Sequence, residues 1–414
     1  MSLQQQRIAS VSVITLTVLF LAAFVLAIPA AEAQTYSVLH NFTGQGDGGM
    51  PDAGLTRDAA GNFYGAAYSG GVGNNGVVFK LTRQGSGWIL STLYTFRGGE
   101  DGSGAAGGIT IGPDGAIYGT TYHGGGNGCS GTGCGIVYRL TPPPTVCKSV
   151  SCSWMETVIY RFGLSPGDGT LPEYGSPLFD RAGNLYGTTS AGGSSPNCSG
   201  GCGTVYELTP GNGGWTETKL FSFNGSEYGS QPTDSLIFDN AGNLYGTTTE
   251  GGCCAGVVFE LSPSGSGWTE TILAAAATQS YGGLAWDAQG NLYGGTAHGN
   301  GSGGGVVFQL VPSGASWVYN QLLSFGSEAG PYDTPTLDSA GNVYVSAYAA
   351  ATFGLIVKLT QSQGMWTPTV LHSFDVMDGE YPVGSVVLDA NGSVYGTTSL
   401  GGSNGQGVIF EITP

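Results

Sequence analysis

The sequence predicts an all-β protein: a seven-bladed β-propeller of four-stranded antiparallel blades, its ring closed by the N-terminal strand. Three observations predict it. One glycine-rich phrase recurs in phase, each recurrence belongs to a unit of four β-type runs, and the two ends of the chain are complementary parts of one unit. The phrase "GNLYGTTTEGG" (Gly242 to Gly252) has near copies at 183–193, 61–71 and 392–402. Its tyrosine recurs at Tyr64, Tyr118, Tyr186, Tyr245, Tyr293, Tyr344 and Tyr395, with spacings of 54, 68, 59, 48, 51 and 51 residues. A period of about 55 residues fits a propeller blade and far exceeds a β-helix coil. A motif serving a single active site would appear once, so the phrase is read as scaffold.

From the N-terminus, Arg7 precedes an apolar run from Ile8 to about Ile28, then Pro29 and the small-residue pattern Ala31-Glu32-Ala33. This is the layout of a signal peptide, with cleavage expected after Ala33 and a single domain from 34 to 414. A membrane anchor would need about 20 apolar residues without a cleavage pattern. The next segment, "YSVLHNF" (Tyr36 to Phe42), matches the fourth run of a unit, as in "WTETKLFSF" (Trp215 to Phe223).

Around Tyr245 the four runs are "SLIFD" (Ser235 to Asp239), "NLYGTTT" (Asn243 to Thr249), "GVVFELS" (Gly256 to Ser262) and "WTETIL" (Trp268 to Leu273). Alternation, β-branched and aromatic residues, and Gly, Pro, Asn and Asp at the joints favour strands, and no convincing helical period occurs. The chain ends in "GVIFEITP" (Gly407 to Pro414), a third run. The last unit therefore lacks a fourth strand that Tyr36 to Phe42 can supply, which also removes open sheet edges. An open solenoid would need polar capping repeats that are not found.

Composition narrows the function classes. The formal net charge is -17, and removing 1–33 deletes one cation (Arg7) and one anion (Glu32) without changing it. That sign argues against phosphate-backbone binding and against adhesion to anionic lipid. Although only 9% of residues are charged and 76 are glycine, 40% are hydrophobic, which indicates a folded, turn-rich chain. Eight cysteines form four short-range pairs: Cys129 with Cys134, Cys147 with Cys152, Cys198 with Cys202, and Cys253 with Cys254. In an exported chain these read as disulfides, the adjacent pair closing a small strained ring. The alternative is a four-thiolate zinc site of Cys129, Cys134, Cys198 and Cys202.

The pattern "P..LxxDxxGNLYGTTxxGG...GxVFELTPxxxGWTETxLxSF", spread over almost the whole chain beyond residue 33, resembles the tandem repeat of GloVer-containing exported bacterial proteins. The resemblance implies export and varied C-terminal sorting anchors, and no defined activity. Because this sequence stops at Pro414 right after a repeat strand, release into the periplasm or medium is expected rather than surface attachment.

The turn "DxxGN" (Asp58, Asp180, Asp239, Asp287 and Asp338 in first place) suits a tight hairpin, since Asp accepts from turn amides and Gly supplies positive φ. A calcium role for these aspartates would need more oxygens close in sequence. No cofactor is expected, calcium being the one candidate. Gly and Thr of "YGTT" are read as small where blades converge. Phe79, Phe259, Phe308 and Phe410, with Trp88, Trp154, Trp215, Trp268, Trp317 and Trp366 at the start of fourth strands, are read as packing between blades rather than as sugar platforms.

Strand parity puts the between-blade links and the second-to-third loops on one face. There, links carry Asp47, Glu100 and Asp101, Asp168, and Asp375, Asp378 and Glu380, an acidic arc continuing weakly through Glu227, broken at Ala274 to Ala277 and resuming at Glu328. Tyr68, Tyr122, His123, Glu250, His298 and Tyr348 follow second strands on the same face. The binding residues expected are Asp47, Asp101, Asp168, Asp378, Tyr68, Tyr122, His123, Glu250 and His298, since loops on a rigid scaffold usually carry binding. The opposing reading is a solvated rim with "DG" as a turn.

The function expected is a non-enzymatic binding module for a glycan, cation or protein, working as a monomer. One alternative is a carbohydrate-active hydrolase or lyase using Asp101, Asp168, His123 and Glu250, although two facing carboxylates are a geometric requirement that sequence does not display. Another is a structural envelope component. His40 and His372 share a fourth-strand position and look structural, and no serine elbow, metalloprotease helix or phosphate loop occurs.

Overall fold

The computed structural model describes residues 34–143, 153–251, 256–265, 267–275, 279–298, 303–326, 329–349 and 353–414. Residues 1–33, Cys147, Cys152, Cys253, Cys254, Glu328 and part of the alanine run lie outside them, as do the side chains of Glu227 and His298.

Seven antiparallel sheets form a propeller, each ordered from first to fourth strand. Blade one comprises Thr56–Arg57, Phe63–Ala67, Val77–Gln84 and Gly87–Thr95. Blade four comprises Ile237–Phe238, Leu244–Thr247, Val257–Ser264 and Gly267–Ala275. In blade seven the N-terminal strand Thr35–Asn41 takes the fourth place against the C-terminal strand Val408–Thr413, with Tyr36 opposite Ile412. Ring closure is thus the one read from the chain ends. Asn404 reinforces it by donating to the Phe42 carbonyl at 3.0 Å.

First strands are two residues long, shorter than "SLIFD" implied, because the chain just before them is engaged with the neighbouring link: the Ser176 amide donates to Ser235 Oγ at 2.8 Å. Third and fourth strands run longer than read, through Ser264 and Ala275. Two additions are a small sheet of Gly169–Thr170 with Ala191–Gly192, and Ala329–Pro331 pairing in blade six. Four three-residue 3-10 turns also occur among the described residues.

The core is a ring of seven hydrophobic clusters, each joining consecutive blades. The tryptophans pack between blades as read: Trp88 meets Tyr395, Trp215 meets Tyr118 and Trp366 meets Tyr293, each at 6.2 Å between ring centres. The glycine of "YGTT" has a more specific reason than blade convergence. Gly65 lies opposite Phe79, and a Cβ there would stand 2.4 Å from the phenyl ring. In blade six the glycine is replaced by Val345, and its partner is the smaller Val357. The threonine reaches the next blade. Thr188 donates to the Asp234 carbonyl, Thr247 to Gly282 and Thr397 to Ala53, at 2.8 to 3.0 Å. These bonds pin each link where it approaches the axis.

The hairpin aspartates are internally satisfied. Asp58 accepts from the amides of Ala60 and Asn62, the Asn62 side chain and the Tyr64 hydroxyl. Asp180, Asp239, Asp287 and Asp338 repeat the arrangement. Desolvation pushes the Asp58 and Asp338 carboxyls up, but these donors outweigh it and hold both below the usual carboxylate range.

Candidate functional site

Links and second-to-third loops do share a face: they pair backbone to backbone at Gly49 with Ser69, Ser103 with His123, Ser230 with Glu250 and Glu380 with Leu400. The four aspartates expected there bind back into their own loops. Asp47 meets His40 Nε2 and the Thr43 amide, both at 3.1 Å. Asp101 accepts from the Tyr94 hydroxyl and the Arg97 amide. Asp168 accepts from the Tyr160 hydroxyl and the Leu164 amide, and Asp378 meets His372 Nε2 and the Asp375 amide. In these four blades a histidine or tyrosine two residues before the buried phenylalanine that ends the fourth strand thus clamps the following link. That assigns His40 and His372 the structural position read for them.

Of the other residues expected, Tyr122 packs edge-on against His123 at 4.4 Å. The Glu250 side chain is exposed, and the His298 backbone pairs with Gly304. Cys129–Cys134 and Cys198–Cys202 are disulfides, which removes the zinc alternative for those four. Among the described residues, no group of three His, Cys, Asp or Glu side chains is arranged to hold a metal ion.

The concave feature of this face lies on the axis. Links from all seven blades line one cavity of about 450 Å³, a size suited to a small molecule. The link enters it through a strained step: Met50, Leu171, Gln231 and Tyr381, each followed by proline, have φ of 55 to 59°. The residue after the proline is Asp52, Glu173, Thr233 or Val383 in those blades, and Tyr332 follows Pro331 in blade six. One residue further on stand Asp234 and Asp333. Glycine is required beside them, since a Cβ on Gly282 would stand 2.0 Å from the Asp333 carbonyl oxygen.

Two kinds of side chain dominate the lining. Tyr174, Tyr281, Tyr332 and Tyr381 supply aromatic walls. Tyr281 stacks on Tyr332 at 5.2 Å, Tyr332 meets Tyr348 edge-on at 6.0 Å, and Tyr348 stacks on Tyr381 at 5.2 Å, a continuous aromatic arc over blades five to seven. Asp52, Asp234 and Asp333 supply carboxyl groups. Burial pushes the Asp52 carboxyl up to about 6. Asp234 is also raised by burial, although it accepts from the Ser235 and Gly283 amides. Asp333 is 2% exposed, and burial raises it well above the ordinary range. Its Oδ2 accepts from the Ser346 amide at 3.0 Å, while Oδ1 has no partner. Around the axis, burial and then Glu173 and Tyr68 raise the Tyr122 hydroxyl, and burial raises Glu173. So Tyr68 and Tyr122 border this carboxyl-bearing axial region.

Sequence reasoning missed Asp52, Asp234, Asp333 and the axial tyrosines. The available signal was a recurring proline, Pro51, Pro172, Pro232, Pro331 and Pro382, followed by a residue that differs in every copy.

The fold and the disulfides define an exported β-propeller of tandem repeats. The Gloeobacter/Verrucomicrobia repeat matches residues 28–195 and 130–350, and the chain belongs to that family. Membership makes the location secreted or extracellular. No curated protein matches the chain. Among solved structures, similar ones include a proposed 6-phosphogluconolactonase of Bacteroides uniformis, with 13% identity, TM-score 0.49, and coverage of 78% of this chain and 85% of that one. A Dyadobacter fermentans protein of unknown function has 12% identity, TM-score 0.47, and coverage of 92% and 98%. A proposed oxidoreductase (glucose dehydrogenase) of Thermus thermophilus has 17% identity, TM-score 0.44, and coverage of 92% and 99%. At such identities and scores, the activities described for those proteins do not transfer. Among the described residues, no helix is long and apolar enough to cross a membrane.

Proposed function

We propose that the mature chain, from residue 34, is an extracellular binding protein that captures a small ligand, a glycan or a cation-bearing molecule, in the tyrosine-walled axial cavity. The observation that carries this reading is the convergence of all seven links on one cavity at the position where the repeats differ. Tyrosine faces suit sugar or other ring faces, and carboxyl groups suit hydroxyl or ammonium donors. Asp47, Asp101, Asp168 and Asp378 then shape the rim, with His123 and Glu250 on the surrounding loops and His298 at the end of its strand. Thermal unfolding against mono- and oligosaccharides and divalent cations, with and without chelator, tests this. A ligand that binds only the native state raises the midpoint, and Tyr332→Ala removes that rise. A shift that Tyr332→Ala leaves intact puts the ligand elsewhere.

One observation favours a second reading. A carboxyl held near pH 6, as Asp52 is, suits a general acid in a carbohydrate-active enzyme. Turnover of a glycan that Asp52→Asn abolishes would establish it.

A further inference from the structure

Four features of the axial cavity bear on the charge of its ligand. Asp52, Asp234 and Asp333 line it, and no Lys, Arg or His is among the lining residues. Each of those carboxyls is desolvated and raised, the condition of buried acids without a cation to pair with. Asp333 Oδ1 is buried and unpartnered, which in a folded protein calls for a donor. Finally, the walls are tyrosine faces, which attract cations as well as ring C–H groups.

Resting on the binding reading above, we infer that the ligand of this cavity carries a protonated amine on a ring, an amino sugar in its free ammonium form, whose N–H group meets Asp333 while its ring lies against Tyr281, Tyr332 and Tyr381. A neutral sugar supplies no counter-charge, so burial would keep Asp333 protonated, whereas an ammonium group lets it ionise and satisfies the unpartnered oxygen. A bare metal ion would leave the tyrosine walls without a role, and the carboxyls are not clustered for one. Other ionisable groups near the cavity are Glu173, Glu250 and the tyrosine hydroxyls, none of them cationic at neutral pH. Affinity should therefore fall as pH drops through about 6, where Asp52 takes up a proton.

Calorimetric titration of the chain at pH 7 with glucosamine, N-acetylglucosamine and glucose tests the charge requirement, because the three share a ring and differ at one substituent. The expected result is glucosamine binding at least about tenfold tighter than either neutral sugar, with Asp333→Asn erasing most of that preference. Glucose binding as well as glucosamine, with Tyr332→Ala abolishing both, overturns the ammonium inference and leaves the cavity reading standing. Glucosamine preference that Asp333→Asn leaves untouched overturns the assignment to Asp333. Failure of all three to bind at millimolar concentration overturns the amino-sugar class, and the cavity reading is then decided by the wider ligand set with Tyr332→Ala.

Discussion

Asp333 and Asp338 flank one two-residue strand, Thr336–Leu337, and meet opposite environments. Asp338 accepts from the Ala340 and Asn342 amides, the Asn342 side chain and the Tyr344 hydroxyl, and its carboxyl is held down. Asp333 is deeply buried with one oxygen unpartnered, and its carboxyl is held up. The first environment recurs around the ring and costs the fold nothing. The second holds Asp333 at the axis, and Glu156 and Glu270 on fourth strands are raised by burial too; a desolvated acid destabilises the native state unless it stays protonated or finds a partner. Proteins retain such unfavourable groups chiefly at functional sites, so the contrast separates scaffold from site within a single blade.

Substitutions sharpen that contrast. The largest effect belongs to the scaffold. Phe410, fully buried across from Gly396 beside the closing strand, should cost about 3–5 kcal/mol as Phe410→Ala in denaturant unfolding. Asp338→Ala should cost about 1–3 kcal/mol by stranding its hairpin donors, whereas Asp333→Asn should cost nothing measurable or stabilise. If both aspartates prove equally important to stability, the division between scaffold and site fails.

Asp52 gives the pH arm of the comparison. Its native pKa, about 6, lies above the unfolded value, so the unfolded chain releases this proton first as pH rises. Stability contributed by this group is complete below about pH 4 and declines as pH rises to about 6. Asp52→Asn should remove that decline and gain on the order of 1–2 kcal/mol at pH 8, after allowance for the partial exposure of the group. Thermal melts of both proteins from pH 4 to 8 should diverge upward; parallel curves would break the argument. The smallest effect expected is from the Cys198–Cys202 bridge. It closes so short a loop that Cys198→Ala with Cys202→Ala should cost at most about 2 kcal/mol.

Most of the fold was legible because the blades repeat the same demands: a hairpin aspartate, in all but blade six a glycine under an aromatic ring, and in all but blade seven a tryptophan at the start of the fourth strand. Ring closure was legible because Tyr36 to Phe42 copies a fourth strand. First strands were overestimated because Ser235 and Leu236 look like strand residues, while Ser235 is held by the neighbouring link. The site was only half legible. Acidic links identify the face, but sequence does not reveal that Asp47, Asp101, Asp168 and Asp378 turn back on their own fourth strands. The axial residues were obscured for the opposite reason. Asp52, Glu173, Thr233, Tyr332 and Val383 share a position and not a residue type, so a search for recurrence passes over them.

The most direct measurement is a carboxyl-carbon NMR titration of the intact chain with labelled aspartate, resonances assigned through Asp52→Asn, Asp58→Asn and Asp338→Asn. Asp52 should titrate near pH 6 while Asp58 and Asp338 titrate below the ordinary aspartate value. Asp52 titrating together with the hairpin aspartates would contradict that expectation, because the axis would then hold its carboxyls no differently from the scaffold.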